Sequence, residues 1–163
     1  MYKIFCAIIF FYVLVMDQYT KVLAIQRLSI GRSETVVDGL FNLTLLYNPG
    51  AAFGLFSNLS ENTRYIALTA VTIIAFVVIF RLAVKEMKGD AASLLALSAI
   101  FGGAVGNLVD RFRYGAVVDF LDFYVGTYHW PSFNIADSAI SIGVTVVIIR
   151  MIFGVQPEEE TGD

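Results

Sequence analysis

The chain has 163 residues, of which 58% are hydrophobic and only 15% are charged, and its mean hydropathy is +0.74. Soluble domains of this length carry more charge, so the composition predicts a single membrane-embedded domain. The net charge is only −3 and there is no basic stripe, so no nucleic-acid partner is expected. The one cysteine, Cys6, excludes an internal disulfide.

Four apolar stretches predict a membrane all-α fold with four transmembrane helices, because each is near the ~20 residues that span a ~30 Å hydrocarbon core. In lipid, helices satisfy the backbone polar groups internally. The predicted spans cover residues 4–25, 65–84, 91–109 and 133–153, with extracytoplasmic segments at 26–64 and 110–132. The domain covers residues 1–155, and 156–163 form a short acidic cytoplasmic tail.

Four crossings place both termini on one side of the membrane, together with the short basic connection 81–90. Lys3 and the basic residues of that connection favour the cytoplasm for this side. Counted over the whole chain, however, five basic residues lie on this side and six elsewhere, so charge alone does not fix the orientation.

The first span ends in two charged residues, Asp17 and Lys21, that lie four apart and can form an ion pair on one helix face. One interpretation is a self-neutralised pair that orients the end of the helix. The alternative is that Lys21 contacts substrate or lipid.

The first long connection contains a predicted strand and a turn. Residues 41–45 alternate apolar and polar side chains, as half-buried strands do, and Asn48-Pro49-Gly50 indicates a turn. A small β platform is therefore expected on the outer surface, with its apolar face toward the membrane.

The loop at 48–54 is either a simple tight turn or a surface that presents an amide and backbone groups to an extended peptide. Tyr124, Tyr128 and Trp130 are typical of an interfacial aromatic belt.

The third span carries the small residues Gly102, Gly103 and Gly106, a spacing that lets membrane helices approach closely. Asn107 and Asp110 follow on the same helical face as Gly103. We interpret Asp110 and its neighbour Arg111 as a structural cap or charge network, with a role in chemistry as the alternative.

Two further acids, Asp119 and Asp137, flank the start of the fourth span. Acids within such apolar sequence are costly and usually functional. The positive end of a helix favours ionised Asp137, and Asn134, three residues earlier, can hydrogen-bond it. If the two carboxylates meet, they share one proton; one can then deprotonate water while the other protonates a substrate atom. The alternative is two unrelated acids at helix ends.

Other hydrolytic chemistries lack their residues. His129 is the only histidine and no His-Glu-x-x-His motif occurs, which argues against a zinc peptidase. No Gly-x-Ser-x-Gly motif supports serine catalysis.

Five motifs in this order resemble bacterial lipoprotein signal peptidase, the signal peptidase II family: 17–21 (Asp-Gln-Tyr-Thr-Lys), 48–54 (Asn-Pro-Gly-Ala-Ala-Phe-Gly), 102–111, 117–120 (Val-Val-Asp-Phe) and 133–138 (Phe-Asn-Ile-Ala-Asp-Ser). The resemblance implies an aspartic endopeptidase of the bacterial inner membrane, with its site toward the extracytoplasmic side. It implies that signal peptides are cut from prolipoproteins just before a diacylglyceryl-modified cysteine. No metal or organic cofactor is implied, and we expect a monomer in contact with membrane lipid.

The resemblance also implies residue roles. Asp119 and Asp137 match the catalytic pair. Positions that line or support the substrate site are matched by Asn48, Gly50, Asn107, Arg111, Asn134 and Ala136, and structural polar positions by Asp17, Lys21 and Asp110.

Two other classes of function stay open at this point. A proton-coupled transporter would use Asp119 and Asp137 as a proton relay, but the polar residues are predicted to gather at one surface instead of crossing the membrane. An assembly or anchoring subunit leaves the paired aspartates unexplained.

Overall fold

The computed structural model describes residues 2–50, 60, 63, 66–67, 69–74, 77–78, 81 and 90–153. Within them, helix α1 (Tyr2–Arg27) precedes strands β1 (Ser33–Val37) and β2 (Phe41–Asn48), then come helix α2 (Ala91–Tyr114), strands β3 (Val117–Val125) and β4 (Tyr128–His129), and helix α3 (Ile135–Ile152). The residues described between 63 and 81 are helical. The predicted span 65–84 lies partly, and the tail 156–163 wholly, outside the described residues.

Among the described residues, α1, α2 and α3 are long and apolar enough to cross a membrane. Three of the four predicted spans are therefore confirmed as helices of this kind. The predicted end of the third was too early, because α2 continues beyond Val109 to Tyr114. The helix ends where Gly115 adopts a left-handed conformation and its N–H bonds the carbonyl of Arg111.

Helix α2 lies between α1 and α3 and packs against both. A Cβ at Gly102 would lie 2.6 Å from the carbonyl oxygen of Phe10 on α1, and one at Gly103 would lie 2.6 Å from that of Ala136 on α3. The predicted close packing at the small residues is thus confirmed, and glycine is required because the neighbouring backbones leave no space for a side chain.

The described strands form one four-stranded antiparallel sheet in the order β1-β2-β3-β4. The strand predicted at 41–45 is confirmed and extends to Asn48. Strand β3, by contrast, lies in the connection predicted at 110–132, where no strand was predicted. Its sequence is rich in β-branched and aromatic residues, but its first four residues are all buried, so the expected alternation is absent.

A layer of buried polar side chains separates two apolar cores. One core lies between α2 and α3, and is formed by Ala96, Leu97, Ile100 and Val147. The other joins the end of α1 to the sheet, and is formed by Ala24, Leu28, Leu45, Val118 and Phe120. The layer between them contains Asp17, Lys21, Asn107, Asp110, Asp119 and Asn134, all at most 6% exposed. The sheet therefore covers the end of the helical bundle at which the polar residues meet.

Candidate active site

The Asp119 carboxylate projects from the start of β3 and is 1% exposed. Its Oδ1 accepts a hydrogen bond from Nδ2 of Asn134 (2.7 Å), and its Oδ2 accepts one from Nδ2 of Asn48 (2.9 Å). Asn48 is the last residue of the neighbouring strand β2. Because β2 pairs with β3, the Asn48 amide lies within hydrogen-bond distance of Asp119.

Asp137 lies in the first turn of α3, where Asn134 is the N-cap. The Asn134 side chain accepts a bond from the Asp137 backbone N–H (2.9 Å), and Oδ2 of Asp137 accepts one from the Asn134 N–H (3.3 Å). The predicted interaction between these two residues is thus confirmed as a capping box. The remaining oxygen, Oδ1 of Asp137, accepts a bond from Nδ2 of Asn107 on α2 (2.8 Å).

Asp119 and Asp137 share a hydrogen-bond partner and line the same cavity. Asn134 bonds both of them, and both line a cavity of about 750 Å³. The other walls are the segment 130–133, Asn48 and one face of α3, formed by Ser138, Ser141 and Ile142. The convergence of the two acids predicted from the sequence is confirmed, while their roles stay predictions. The cavity wall on α3 was missed: Ser141 and Ile142 lie outside the five motifs, and Ser138 ends the last of them but was not predicted as a site residue.

The environment of Asp119 favours its protonated form. Burial is the largest influence and raises its pKa, the hydrogen bond from Asn48 lowers it, and the negative charge of Asp137 raises it again, to about 7 in all. Near neutral pH both the protonated and the ionised form of this carboxyl are therefore populated. Such a shift next to a second acid in a cavity is typical of functional sites.

A buried network of ion pairs between α1 and α2 lies next to the two candidate acids. Nζ of Lys21 lies 2.8 Å from carboxylate oxygens of both Asp17 and Asp110. The Asp17–Lys21 pair is thus confirmed, and Asp110 is part of a charge network with Lys21 as its cation, while the part predicted for Arg111 stays a prediction. The interpretation in which Lys21 contacts substrate or lipid is wrong, because Lys21 is only 2% exposed. Both carboxylates also accept backbone N–H groups, Asp17 from Ala136 (2.9 Å) and Asp110 from Val118 (3.1 Å).

The network therefore fixes the starts of α3 and β3, the two elements that carry the candidate acids. Gln18, which the residue predictions missed, strengthens it by donating to Asp110 (3.0 Å), to Asp17 (3.2 Å) and to the Gly106 carbonyl (3.1 Å). Its position beside Asp17 in an apolar helix was the signal available in the sequence.

The other predicted site residues have distinct placements. The N–H of Gly50, which has φ 87°, donates to Oδ1 of Asn48 (2.9 Å) and so orients that amide. Ala136 is fully buried and acts through its backbone. Arg111 is half-buried on α2, one turn after Asn107. Residues 51–54 lie outside the described residues.

A separate polar cluster lies on the sheet. Asp122 contacts His129 Nδ1 (2.8 Å) and accepts a bond from Asn42 (3.0 Å). Burial would raise the pKa of Asp122, but these two contacts lower it below its usual value. His129 also stacks on Tyr124. Over the described part of the chain, no three His, Cys, Asp or Glu side chains converge as metal ligands.

The fold and site together define a class: a membrane protein with a pair of carboxylates in a cavity, where an apolar helical bundle meets a small sheet. Comparison with known proteins gives the family. The family described as Signal peptidase (SPase) II matches residues 9–153, so the chain belongs to the signal peptidase II family and is a peptidase.

Relatives and a solved structure agree with this assignment. The lipoprotein signal peptidase of Desulforapulum autotrophicum is 46% identical over 146 residues, 90% of each chain. That of Syntrophus aciditrophicus is 46% identical over 140 residues, 86% of this chain and 87% of the relative. A bacterial membrane enzyme solved by the in meso method at 1.9 Å is 34% identical, with a TM-score of 0.76 over 92% of this chain and 94% of that one. The resemblance inferred from the five motifs is thereby confirmed.

Proposed function

We propose that this chain is an aspartic endopeptidase that removes the signal peptide from prolipoproteins, cutting just before the diacylglyceryl-modified cysteine. The observation that carries the proposal is the placement of Asp119 and Asp137 on one cavity, bridged by Asn134. Membership of the signal peptidase II family and the names of the relatives supply the substrate class.

The proposed mechanism divides the chemistry between the two acids. Ionised Asp137 takes a proton from water as the water oxygen bonds to the scissile carbonyl carbon, and protonated Asp119 donates to the carbonyl oxygen. The tetrahedral intermediate then collapses. The C–N bond breaks, the leaving amine takes the proton from Asp137, and Asp119 recovers its own proton from the hydroxyl group.

The amides of Asn48, Asn107 and Asn134 orient the carboxylates in this mechanism. Each donates through Nδ2 to Asp119 or Asp137. With Gly50, Arg111 and Ala136, they form the proposed set that lines or supports the substrate site. Asp17, Lys21 and Asp110 are proposed as structural members of the network below it.

The proposed topology has four membrane-spanning helices, both termini in the cytoplasm and the cavity toward the extracytoplasmic side of the bacterial inner membrane. The sheet would then lie at the outer interface, where the exposed side chains of Tyr128 and Trp130 suit the headgroup region. A lipid-anchored cysteine holds its scissile bond at the same depth. We propose that the enzyme works as a monomer with its substrate's acyl chains in surrounding lipid.

A proton-coupled transporter is less well supported. Among the described residues, the polar side chains of the site lie at the sheet end of the bundle, and Asp90, Ser93 and Arg150 meet at the opposite end. The region between these two ends of α2 and α3 is apolar, at Ile100 and Val147. A relay would need titratable groups through that region.

A purified-enzyme assay tests the proposal. The protein in detergent is given one precursor in two forms, with a diacylglyceryl-modified cysteine and with an unmodified cysteine, and the products are identified by mass spectrometry. The expected result is a cut immediately before the modified cysteine and none in the unmodified precursor. Absence of cleavage combined with gradient-driven proton flux in liposomes would instead identify a transporter.

A further inference from the structure

Lys21 has no role in the proposed chemistry, yet all three of its donors are used. An ammonium group has three N–H donors and no acceptor. Its Nζ lies 2.8 Å from Oδ2 of Asp17, 2.8 Å from Oδ2 of Asp110 and 2.9 Å from Oδ1 of Asn107. Because the side chain is 2% exposed and its donors are occupied, Lys21 cannot bind substrate.

The third bond is not needed to neutralise the ammonium, since two carboxylates already contact it. The third bond instead orients the amide that accepts it, which is that of Asn107. Lys21 can only donate, so the oxygen of Asn107 must face Lys21, and the nitrogen must then face the other way. That nitrogen donates to Oδ1 of Asp137 at 2.8 Å. Lys21, with Nδ2 of Asn134 as a longer second donor to the same oxygen (3.2 Å), thus selects which end of the Asn107 amide meets the carboxylate.

The other two amides of the site are oriented by backbone groups. Oδ1 of Asn134 accepts the N–H of Asp137 (2.9 Å), and Oδ1 of Asn48 accepts the N–H of Gly50 (2.9 Å). Asn107 lies within helix α2, where the backbone N–H groups bond the carbonyls four residues earlier. It therefore needs donors from other elements: Nζ of Lys21 on α1 donates to its oxygen at 2.9 Å, and Nδ2 of Asn134, the N-cap of α3, donates to the same oxygen at a longer 3.2 Å.

We propose that Lys21 is a positioning residue for peptide cleavage, which acts through Asn107 to hold Asp137 in the orientation that receives a proton from water. The proposal rests on the function proposed above for Asp119 and Asp137. It assigns Lys21 a function beyond that of a structural ion pair.

Two variants separate the hydrogen bond from the charge. Lys21→Met removes the donors and keeps an unbranched apolar side chain. Lys21→Met combined with Asp17→Asn removes one charge of each sign and so restores the net charge of the network. In both we expect kcat on the lipid-modified precursor to fall about 10- to 100-fold, as when a group that orients a reactive side chain is lost. KM should change little, because Lys21 does not touch the substrate.

Coupling to Asn107 gives a second readout. If Lys21 acts through this amide, the variant carrying both Lys21→Met and Asn107→Ala should lose no more activity than Asn107→Ala alone. A purely structural lysine predicts losses that add.

Arg150→Met is the matched control. Arg150 on α3 bonds Asp90, the N-cap of α2, at 2.6 Å and 3.0 Å, so this variant also breaks a charged contact between two helices. That contact lies away from the candidate site. We expect a lower thermal midpoint and a kcat within about twofold of the wild-type value.

The outcomes are distinct. A loss of kcat that is not additive with Asn107→Ala, in Lys21 variants as stable as Arg150→Met, supports the proposal. Additive losses, unchanged kcat, or failure of both Lys21 variants to fold while Arg150→Met folds would overturn it and assign Lys21 to stability. Failure of the proposed function would show itself differently, as normal cleavage by Asp119→Asn or Asp137→Asn.

Discussion

Asp119 and Asp137 have the same side chain but different surroundings. Asp119 lies near the start of a buried strand, and from the described residues it receives only side-chain amide donors, those of Asn48 and Asn134. Asp137 lies in the first turn of a helix, where its Oδ2 accepts a backbone N–H and its Oδ1 accepts the amide of Asn107. This difference supports a division of roles in which Asp119 carries the proton and Asp137 accepts one.

The pH dependence of cleavage follows from the Asp119 environment. If protonated Asp119 is the acid, activity should fall as pH rises through its pKa of about 7. The hydrogen bond from Asn48 stabilises the ionised form and lowers that pKa. In Asn48→Ala we therefore expect this fall to move to higher pH, with kcat/KM reduced about tenfold or more at the optimum. A pH–rate profile on the lipid-modified precursor measures both effects.

Asn42→Ala is the matched control for that profile. Asn42 also lies on β2 and donates to an aspartate of β3, but to Asp122 instead of Asp119. Its loss should leave the pH of the fall unchanged. Equal shifts in the two variants would contradict a specific role for the bond between Asn48 and Asp119.

At the scale of elements, α2 sets the position of α3 and therefore of Asp137. Gly103 lies against the backbone of Ala136, in the turn that also contains Asn134 and Asp137. The geometry of the candidate site thus depends on the absence of a side chain at Gly103.

Gly103→Ala tests this contact. A glycine replaced by alanine within a helix usually gains about 1 kcal/mol, but here the new Cβ would lie 2.6 Å from a backbone oxygen. We expect a loss of about 1–3 kcal/mol, typical of overpacking, together with reduced cleavage because the start of α3 must move. Thermal unfolding in detergent and the cleavage assay measure the two effects. A stabilised, fully active variant would contradict this expectation, because it would show that α2 and α3 can move apart to accept the new Cβ without disturbing the site.

Elements were predictable where their signals are local. The Asp17–Lys21 pair follows from i,i+4 spacing, and the Asn134–Asp137 capping box from i,i+3 spacing at a helix start. Strand β3 was not predictable in this way. It is covered by α1 at its start and paired with β2 through an irregular register between Leu43 and Leu46, so burial follows no period of two.

The contacts that complete the site depend on that unpredicted strand and on helix packing. Asn48 reaches Asp119 only because β2 and β3 pair, and Asn107 reaches Asp137 only because α2 and α3 approach at Gly103. The five motifs identified these residues as members of a set. Their geometric relations required the three-dimensional structure.

In the molecule as a whole, the layer of buried polar side chains lies between the apolar helical bundle and the sheet. The proposed orientation follows if that sheet lies outside the cell. The topology can be tested by labelling, because Cys6 is the only natural cysteine.

In a Cys6→Ser background, Thr127→Cys in the exposed turn between β3 and β4 should react with a membrane-impermeant thiol reagent in spheroplasts. Lys3→Cys, at the exposed start of α1, should react only after the membrane is permeabilised. The reverse pattern would contradict a site on the extracytoplasmic side.

Whether Asp119 and Asp137 form a catalytic pair is tested by cleavage of a diacylglyceryl-modified precursor by purified wild type, Asp119→Asn and Asp137→Asn at equal amounts of folded protein. We expect both variants to lose cleavage, because each asparagine keeps the side-chain shape but can neither hold nor accept the transferred proton. Cleavage at the wild-type rate by either variant would contradict the assignment of a shared carboxylate pair.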